Sequence, residues 1–209
     1  MRLLYGTGNP AKFEVMWEMV AGLPIELVSP RQIGLNLPEV DESGRDPLQN
    51  ACLKARAYYR AAGMPVFSCD SGLFLEGLPE ALQPGVHVRR VGERSLTDEE
   101  MTAYYSALAR QYGGRITAQY RNAICLLMDD EHIYAHQGEE LCGERFDLVQ
   151  QPHPNRRPGF PLDCLSVERS SGRYYDDLPG GVTHAMNPGF ASFFRRSLAA
   201  YAADTARDV

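Results

Sequence analysis

The sequence predicts a mixed α/β fold, and three observations carry that prediction. Short apolar runs alternate with longer segments of helical period, side chains that cap helices stand where those segments begin, and glycines stand where they end. Leu3, Leu4 and Tyr5 read as a buried strand. Asn9 caps the helix that Pro10 starts, with an apolar stripe at Phe13, Met16, Trp17 and Val20 and a stop at Gly22. A second strand is predicted over Ile25 to Val28. Asp46 and Gln49 form a capping-box pattern with Pro47 at the first helical position, and Leu48, Ala51, Cys52, Ala55 and Tyr59 make the buried face of a helix that Gly63 ends. Val66 to Cys69 is a short strand that runs into a turn at Asp70-Ser71-Gly72, with the chain extending again at Phe74 and Leu75. Thr97 and Glu100 cap a third helix that runs toward Gly113-Gly114. Ile116 to Met128 and Ile133 to Leu141 read as a hairpin around Asp129-Asp130-Glu131, which would add an antiparallel part to the sheet. The Pro-rich stretch from Gln151 to Gly159 excludes regular structure, and Gly189 to Ala203 reads as a last amphipathic helix.

A chain of 209 residues buries one substantial core, and no linker or repeat divides it, so a single domain over 1–209 is expected. The net charge of −6 argues against a general nucleic-acid binder, whose phosphate affinity comes from clustered Lys and Arg. No apolar run reaches membrane-spanning length, and the start of the chain is too soon interrupted for a signal peptide. Five scattered cysteines without Cys-x-x-Cys spacing suit a reduced cytoplasm.

Chemistry concentrates in Thr7-Gly8-Asn9-Pro10-Ala11-Lys12. Free amides at a helix start attract anions; Thr7 and Asn9 add side-chain donors, and Lys12 brings a full positive charge one turn later. Taken alone, the pattern also describes an ordinary capped turn, and it is neither a Walker loop nor a dinucleotide fingerprint. Asp70 is expected at the carboxyl end of its strand, where the ligand crevice of α/β folds lies, so a carboxylate and an anion-binding turn would meet there. Phosphate with carboxylate oxygen is a setting that magnesium favours. Glu42 is a further hard-oxygen candidate in an acidic loop. Asn50 and Lys54 are one helical turn apart and share a side of their helix away from its apolar stripe, which can point Lys54 into a cleft, although a solvated lysine is the commoner outcome. The histidines lack metal-site spacing, and the acidic hairpin turn lacks the ligand pattern of a calcium loop.

Thr7-Gly8-Asn9-Pro10-Ala11-Lys12, then Glu42-Ser43-Gly44 with Asn50-Ala51-Cys52-Leu53-Lys54-Ala55, then Asp70-Ser71-Gly72-Leu73, in that order and spacing, resemble the inosine triphosphate pyrophosphatase family. Pro84-Gly85-Val86 and Arg90 extend the likeness. The resemblance implies an elongated mixed β-sheet flanked by helices, with two lobes around a nucleotide cleft. It implies a cytoplasmic homodimer that hydrolyses nucleoside triphosphates, of inosine and xanthosine type, to monophosphate and pyrophosphate with Mg2+. On this chain Thr7, Asn9, Lys12 and Lys54 would hold the triphosphate, and Ser71 would contact substrate. Glu42 and Asp70 would bind the metal, and Asp70 would align or deprotonate the attacking water. The second half departs from the family's pattern. Its Phe-Gly-Tyr-Asp-Pro segment corresponds to Phe160-Pro161-Leu162-Asp163-Cys164, leaving Phe160 and Asp163 as substrate-binding candidates without the second ring. Its lysine falls on Arg173, and its Ser-His-Arg is replaced by Met186-Asn187-Pro188, with His184 slightly earlier. Cys69 stands where many members carry an acid. These departures open two further readings, a nucleotide-binding or regulatory protein that has lost turnover, and an enzyme for a different phosphorylated substrate.

Overall fold

The computed structural model describes residues 1–44, 46–179 and 189–207. In chain order its elements are β1 (Arg2–Tyr5), α1 (Pro10–Met19), β2 (Glu26–Val28), α2 (Pro47–Ala62), β3 (Val66–Leu75), β4 (Arg90–Val91), β5 (Arg94–Ser95), α3 (Asp98–Gln111), β6 (Arg115–Leu127), β7 (Ile133–Gln137), β8 (Phe146–Val149), β9 (Ser166–Glu168) and α4 (Gly189–Thr205). Seven strands form a mixed sheet in the order β2-β1-β3-β6-β8-β9 with β7 on β6, and β4 and β5 make a separate ribbon. The chain divides into two compact units, the first comprising Met1–Ser71, Asn122–Leu141 and Pro188–Val209, the second Gly72–Arg121 and Cys142–Asn187.

The first unit is built on parallel strands. β1 lies between β2 and β3, with Leu3 opposite Leu27 and Tyr5 opposite Phe67. Alternation along a strand sends successive side chains to opposite faces. One face carries Leu4, Val66, Ala123 and Cys125, and α2 covers it with Ala51, Ala55 and Tyr58. On the other face the Tyr5 ring stacks on Phe67 at 4.5 Å, and Phe194 of α4 meets Phe67 edge-on at 4.9 Å. Burying a ring such as Phe67 contributes roughly 1.5–3 kcal/mol, so this aromatic stack fixes the strand that carries Asp70. The helix starts follow the sequence. Asp46 accepts from the Gln49 amide with Pro47 in the first turn, and Gly63 closes α2 in the left-handed conformation at φ 62°. β6 and β7 pair antiparallel, with Ile124 opposite His136, and the Asp129 carboxylate closes their turn by accepting from the Glu131 and His132 amides.

The second unit has its own core. Met101, Tyr105, Leu108 and Ala109 of α3 pack with Ile116, Ala118, Phe146 and Leu148 of β6 and β8. Thr97 and Glu100 satisfy each other's backbone amides in a full capping box at the start of α3. β8 lies antiparallel between β6 and β9, and its buried Asp147 accepts from Arg115 and Thr117. The segment 151–159 has no helix or strand, as its prolines require.

Three expectations are corrected. α1 ends at Met19, with Val20 as its cap, before the expected stop at Gly22. β3 is one continuous strand through Asp70-Ser71-Gly72 instead of a strand followed by a turn. Flanking apolar residues on both sides, Phe67 and Leu73 among them, hold that polar triplet extended. The second hairpin arm ends at Gln137, and Glu139–Leu141 is a single 3-10 turn. Lys54 is buried with its ammonium against Asp70, so the commoner solvated outcome does not apply to it. His184, Met186 and Asn187 lie outside the described residues.

Candidate active site

The site assembles within the first unit, where the end of β1 meets α1. Asn9 is the cap of α1, and its Oδ1 accepts from Ala11 N at 3.0 Å and Lys12 N at 3.4 Å. Thr7 Oγ1 accepts from Asn9 N at 3.2 Å, so the turn is pre-folded by its own side chains. Gly6 ties the turn to the neighbouring strand, donating to Phe67 O at 2.8 Å and accepting from Ser68 Oγ at 3.3 Å. A Cβ at Gly6 would stand 2.2 Å from the Tyr58 ring, so only glycine lets the turn lie this close to α2.

α2 supplies the next layer. Asn50, Lys54 and Tyr58 fall on one row of the helix at i, i+4 and i+8. Asn50 is nearly fully buried and uses both ends of its amide, accepting from Gly44 N at 2.8 Å and donating to Asp70 Oδ2 at 3.2 Å. A Cβ at Gly44 would stand 2.3 Å from Asn50 Oδ1, so this glycine lets the loop carrying Glu42 approach α2. Lys54 Nζ donates to Asp70 Oδ1 at 2.6 Å and to Glu42 Oε2 at 3.4 Å. Two carboxylates therefore already converge on one cation.

The electrostatics follow from burial and neighbours. Burial pulls the Lys54 ammonium downward, but the Asp70 carboxylate outweighs it and holds the group above its ordinary range. Lys12 is pushed the other way. Burial is the larger cause and the nearby Lys54 charge the second, so Lys12 gives up its proton more readily than an exposed lysine. Cys69 lies on the Tyr5 and Phe67 face of β3, opposite to the face carrying Asp70. Burial pushes its thiol up to about 12, and it is hydrogen-bonded to Tyr5, so it is a neutral packing group here.

The structure brings Glu42, Lys54 and Asp70 together, with Lys12 within electrostatic reach of both carboxylates. Thr7 and Asn9 form the adjoining turn, and Ser71 follows Asp70 in β3. Asn50 emerges as the residue that joins the Glu42 loop to Asp70. Its sequence signal is the four-residue spacing to Lys54. Tyr58 belongs to the same row, whereas the sequence pattern points to Tyr59 for the buried face; nothing in the sequence announces the contact of Tyr58 with Gly6. The remaining candidates belong to the second unit. The Arg157 guanidinium lies 5.0 Å from the Phe160 ring and 3.8 Å from Asp163 Oδ2. Burial raises Asp163 to about 7, against the opposing pull of Arg157. Arg173 is exposed and its guanidinium donates to Asp177 O within its own loop. Among the described residues no group of three or more His, Cys, Asp or Glu side chains makes a metal cage.

The sequence model of the Ham1 family matches residues 3–160. A dITP/XTP pyrophosphatase of Rhodopseudomonas palustris is 29% identical over 191 residues, spanning 90% of this chain and 86% of its own. One from Thermus thermophilus is 33% identical over 179 residues, with 85% and 81% covered. Among solved structures, a HAM1 protein from Coxiella burnetii aligns at a TM-score of 0.69 and 21% identity, over 96% of this chain and 98% of its own. With the Thr7 to Lys12 turn, the Glu42 loop and Asp70 all inside the matched span, the chain belongs to the Ham1 family.

Proposed function

We propose that this chain is a nucleoside triphosphate pyrophosphatase, releasing pyrophosphate and a nucleoside monophosphate. The observation that carries this reading is the buried Lys54–Asp70 pair, with Asn50 and Glu42 attached, beside the capped turn that starts α1. The dITP/XTP pyrophosphatases of similar sequence support it. Thr7, Asn9 and Lys12 grip the β- and γ-phosphates, where backbone amides and a lysine offset charge on the leaving group. Lys54 bridges toward the α-phosphate, whereas strand alternation sends the Ser71 side chain, like Cys69, to the face opposite Asp70 and away from these phosphate contacts. Asn50 and Lys54 hold both oxygens of Asp70, so its carboxylate is fixed before substrate arrives and aligns the attacking water at low reorganisation cost.

The site suits Mg2+ by its donor set. Glu42 and Asp70 present hard carboxylate oxygens toward one point at which Lys54 now supplies the positive charge, and magnesium takes one or two carboxylates together with substrate phosphates. Bound there, the ion would neutralise phosphate charge and polarise the reacting phosphoryl group. With the ion held by Glu42 and Asp70, Asp70 would still place the water and Lys54 would be free to contact the phosphates.

On the family resemblance Phe160 and Asp163 are the proposed base contacts and Arg173 a proposed phosphate contact, and inosine- and xanthosine-type purines are the proposed substrates. The enzyme acts as a cytoplasmic homodimer. Among the described residues no helix is long and apolar enough to cross a membrane. The test incubates the full chain with Mg2+ and a panel of nucleoside triphosphates, measuring pyrophosphate separately from orthophosphate. Pyrophosphate release that disappears in Asp70→Asn is expected. Tight nucleotide binding without turnover would favour a regulatory nucleotide-binding protein, and orthophosphate alone would defeat attack at the α-phosphorus.

A further inference from the structure

Beside the phosphate turn, wholly within the first unit, lies a cavity of about 580 Å³ that the triphosphate reading leaves unused. Its size falls in the range of small-molecule pockets. One wall is the turn itself, Thr7 to Pro10; the opposite wall is the loop from Ser29 to Leu37. Phe13, Pro30, Leu35 and Leu37 make it largely apolar, while Glu14, Ser29, Arg31 and Asn36 stand in its polar part. Phe13 is half-buried and, among the described residues, stacks on no other ring. Arg31 is exposed and makes no ion pair among the described residues. Where Gly8 lines the cavity, a Cβ would meet nothing within 4 Å, so the turn leaves the space open. An open apolar slot with one free aromatic face and a guanidinium suits a planar ring attached to phosphate.

Which end of a nucleotide reaches it follows from the lining. The cavity shares the polyphosphate grip, yet none of Glu42, Asn50, Lys54 or Asp70 lines it. Asp70 must stand at the α-phosphorus, so the substrate's own nucleoside leaves from the Asp70 side. On that reading the cavity, lined by the turn and by none of those four residues, is left to the terminal-phosphate end. We propose that the enzyme also hydrolyses nucleoside triphosphates esterified at the terminal phosphate by an aromatic group or a second nucleoside, dinucleoside triphosphates included, and seats the esterified end against Phe13. This rests on the reading of the turn as the polyphosphate grip. The reaction is the same displacement. A bond forms between the water oxygen and the α-phosphorus, and the bond from that phosphorus to the bridging oxygen breaks. The electron pair leaves with a substituted pyrophosphate, or with a nucleoside diphosphate when the substrate is a dinucleoside triphosphate, and the water proton passes to Asp70 and solvent.

The test compares the nucleoside triphosphate that the panel identifies as substrate with its γ-(4-nitrophenyl) ester, following monophosphate release from each by the full chain with Mg2+. The ester is expected to be cleaved with kcat/KM within about tenfold of the parent. Phe13→Ala should lower kcat/KM for the ester about tenfold through KM, the usual scale of one lost stacking contact, and leave the parent unchanged. Asn36→Trp, at an exposed position, fills the same slot without touching the core and should show the same selectivity. Hydrolysis of the parent with no cleavage of the ester overturns the proposal. Equal damage to both substrates by Phe13→Ala overturns it too, because it places the substrate's own base on that ring. Failure of the parent itself refutes the functional reading, and this proposal falls with it.

Discussion

Lys54→Met strands the most costly group in the site. The Lys54 and Asp70 side chains are only 11% and 10% exposed and meet at 2.6 Å, so neither charge is well solvated once the other is removed. Breaking a buried pair by deleting one partner costs about 3–5 kcal/mol, and the remaining Asn50 hydrogen bond to Asp70 places this case at the lower end. Asp70→Asn is milder, because Lys54 keeps Glu42 at 3.4 Å and Asn retains the shape. If the two groups serve mainly each other, the double variant costs less than the sum of the singles, with a coupling of about 1–3 kcal/mol. Urea unfolding followed by circular dichroism, at fixed salt and pH 7, measures all four corners of the cycle. The pH must be fixed with the sign in mind. Lys54 is held above its ordinary value of 10.5, so its stabilising contribution is complete below 10.5 and is lost only as pH rises through the higher folded value. Unfolding energies that add within about 0.5 kcal/mol would refute the claim that this ion pair organises the site.

Three further outcomes are expected. Lys12 is depressed by burial and by Lys54, so it loses its charge below 10.5; KM for the triphosphate should rise on the alkaline side at a lower pH than an ordinary lysine would allow, and Lys12→Arg should remove that rise in a pH–rate profile. Gly6→Ala should destabilise the fold by about 1–3 kcal/mol, since its Cβ would press on the Tyr58 ring, and Tyr58→Leu in the same chain should recover part of the loss in a urea titration. Iodoacetamide at pH 8 should modify Cys52 before Cys69 when peptides are mapped by mass spectrometry. A hydrogen bond from Cys125 brings Cys52 down to about 7, whereas burial holds Cys69 at about 12.

Local chemistry makes much of this fold legible. The caps at Asn9, Asp46 and Thr97 are short-range devices whose partners sit two or three residues away, so the sequence displays them whole. The same holds for the hairpin at Asp129 and for Gly63. β3 is hidden at Asp70-Ser71-Gly72 because those residues favour turns alone, and the apolar contacts of Phe67, Leu73 and Leu75 that keep them extended are tertiary. β8 and β9 are illegible because strands of four and three residues carry too little period to separate from loop. In the site, the residue types are visible but the wiring is not. Lys54 reads as a surface lysine until the fold places Asp70 against it, and Asn50 gains its place only when Gly44 and Asp70 arrive from distant parts of the chain. Cys69 reads as a lost acid beside Asp70; strand alternation sends it to the opposite face.

The central claim is that water aligned by Asp70 attacks the α-phosphorus, and the destination of the water oxygen tests it most directly. Hydrolysis of the preferred nucleoside triphosphate in H2(18)O, followed by mass spectrometry of both products, is expected to place the label in the nucleoside monophosphate and to leave the pyrophosphate unlabelled. Label in the pyrophosphate would contradict the account, because the water would then have attacked the β-phosphorus.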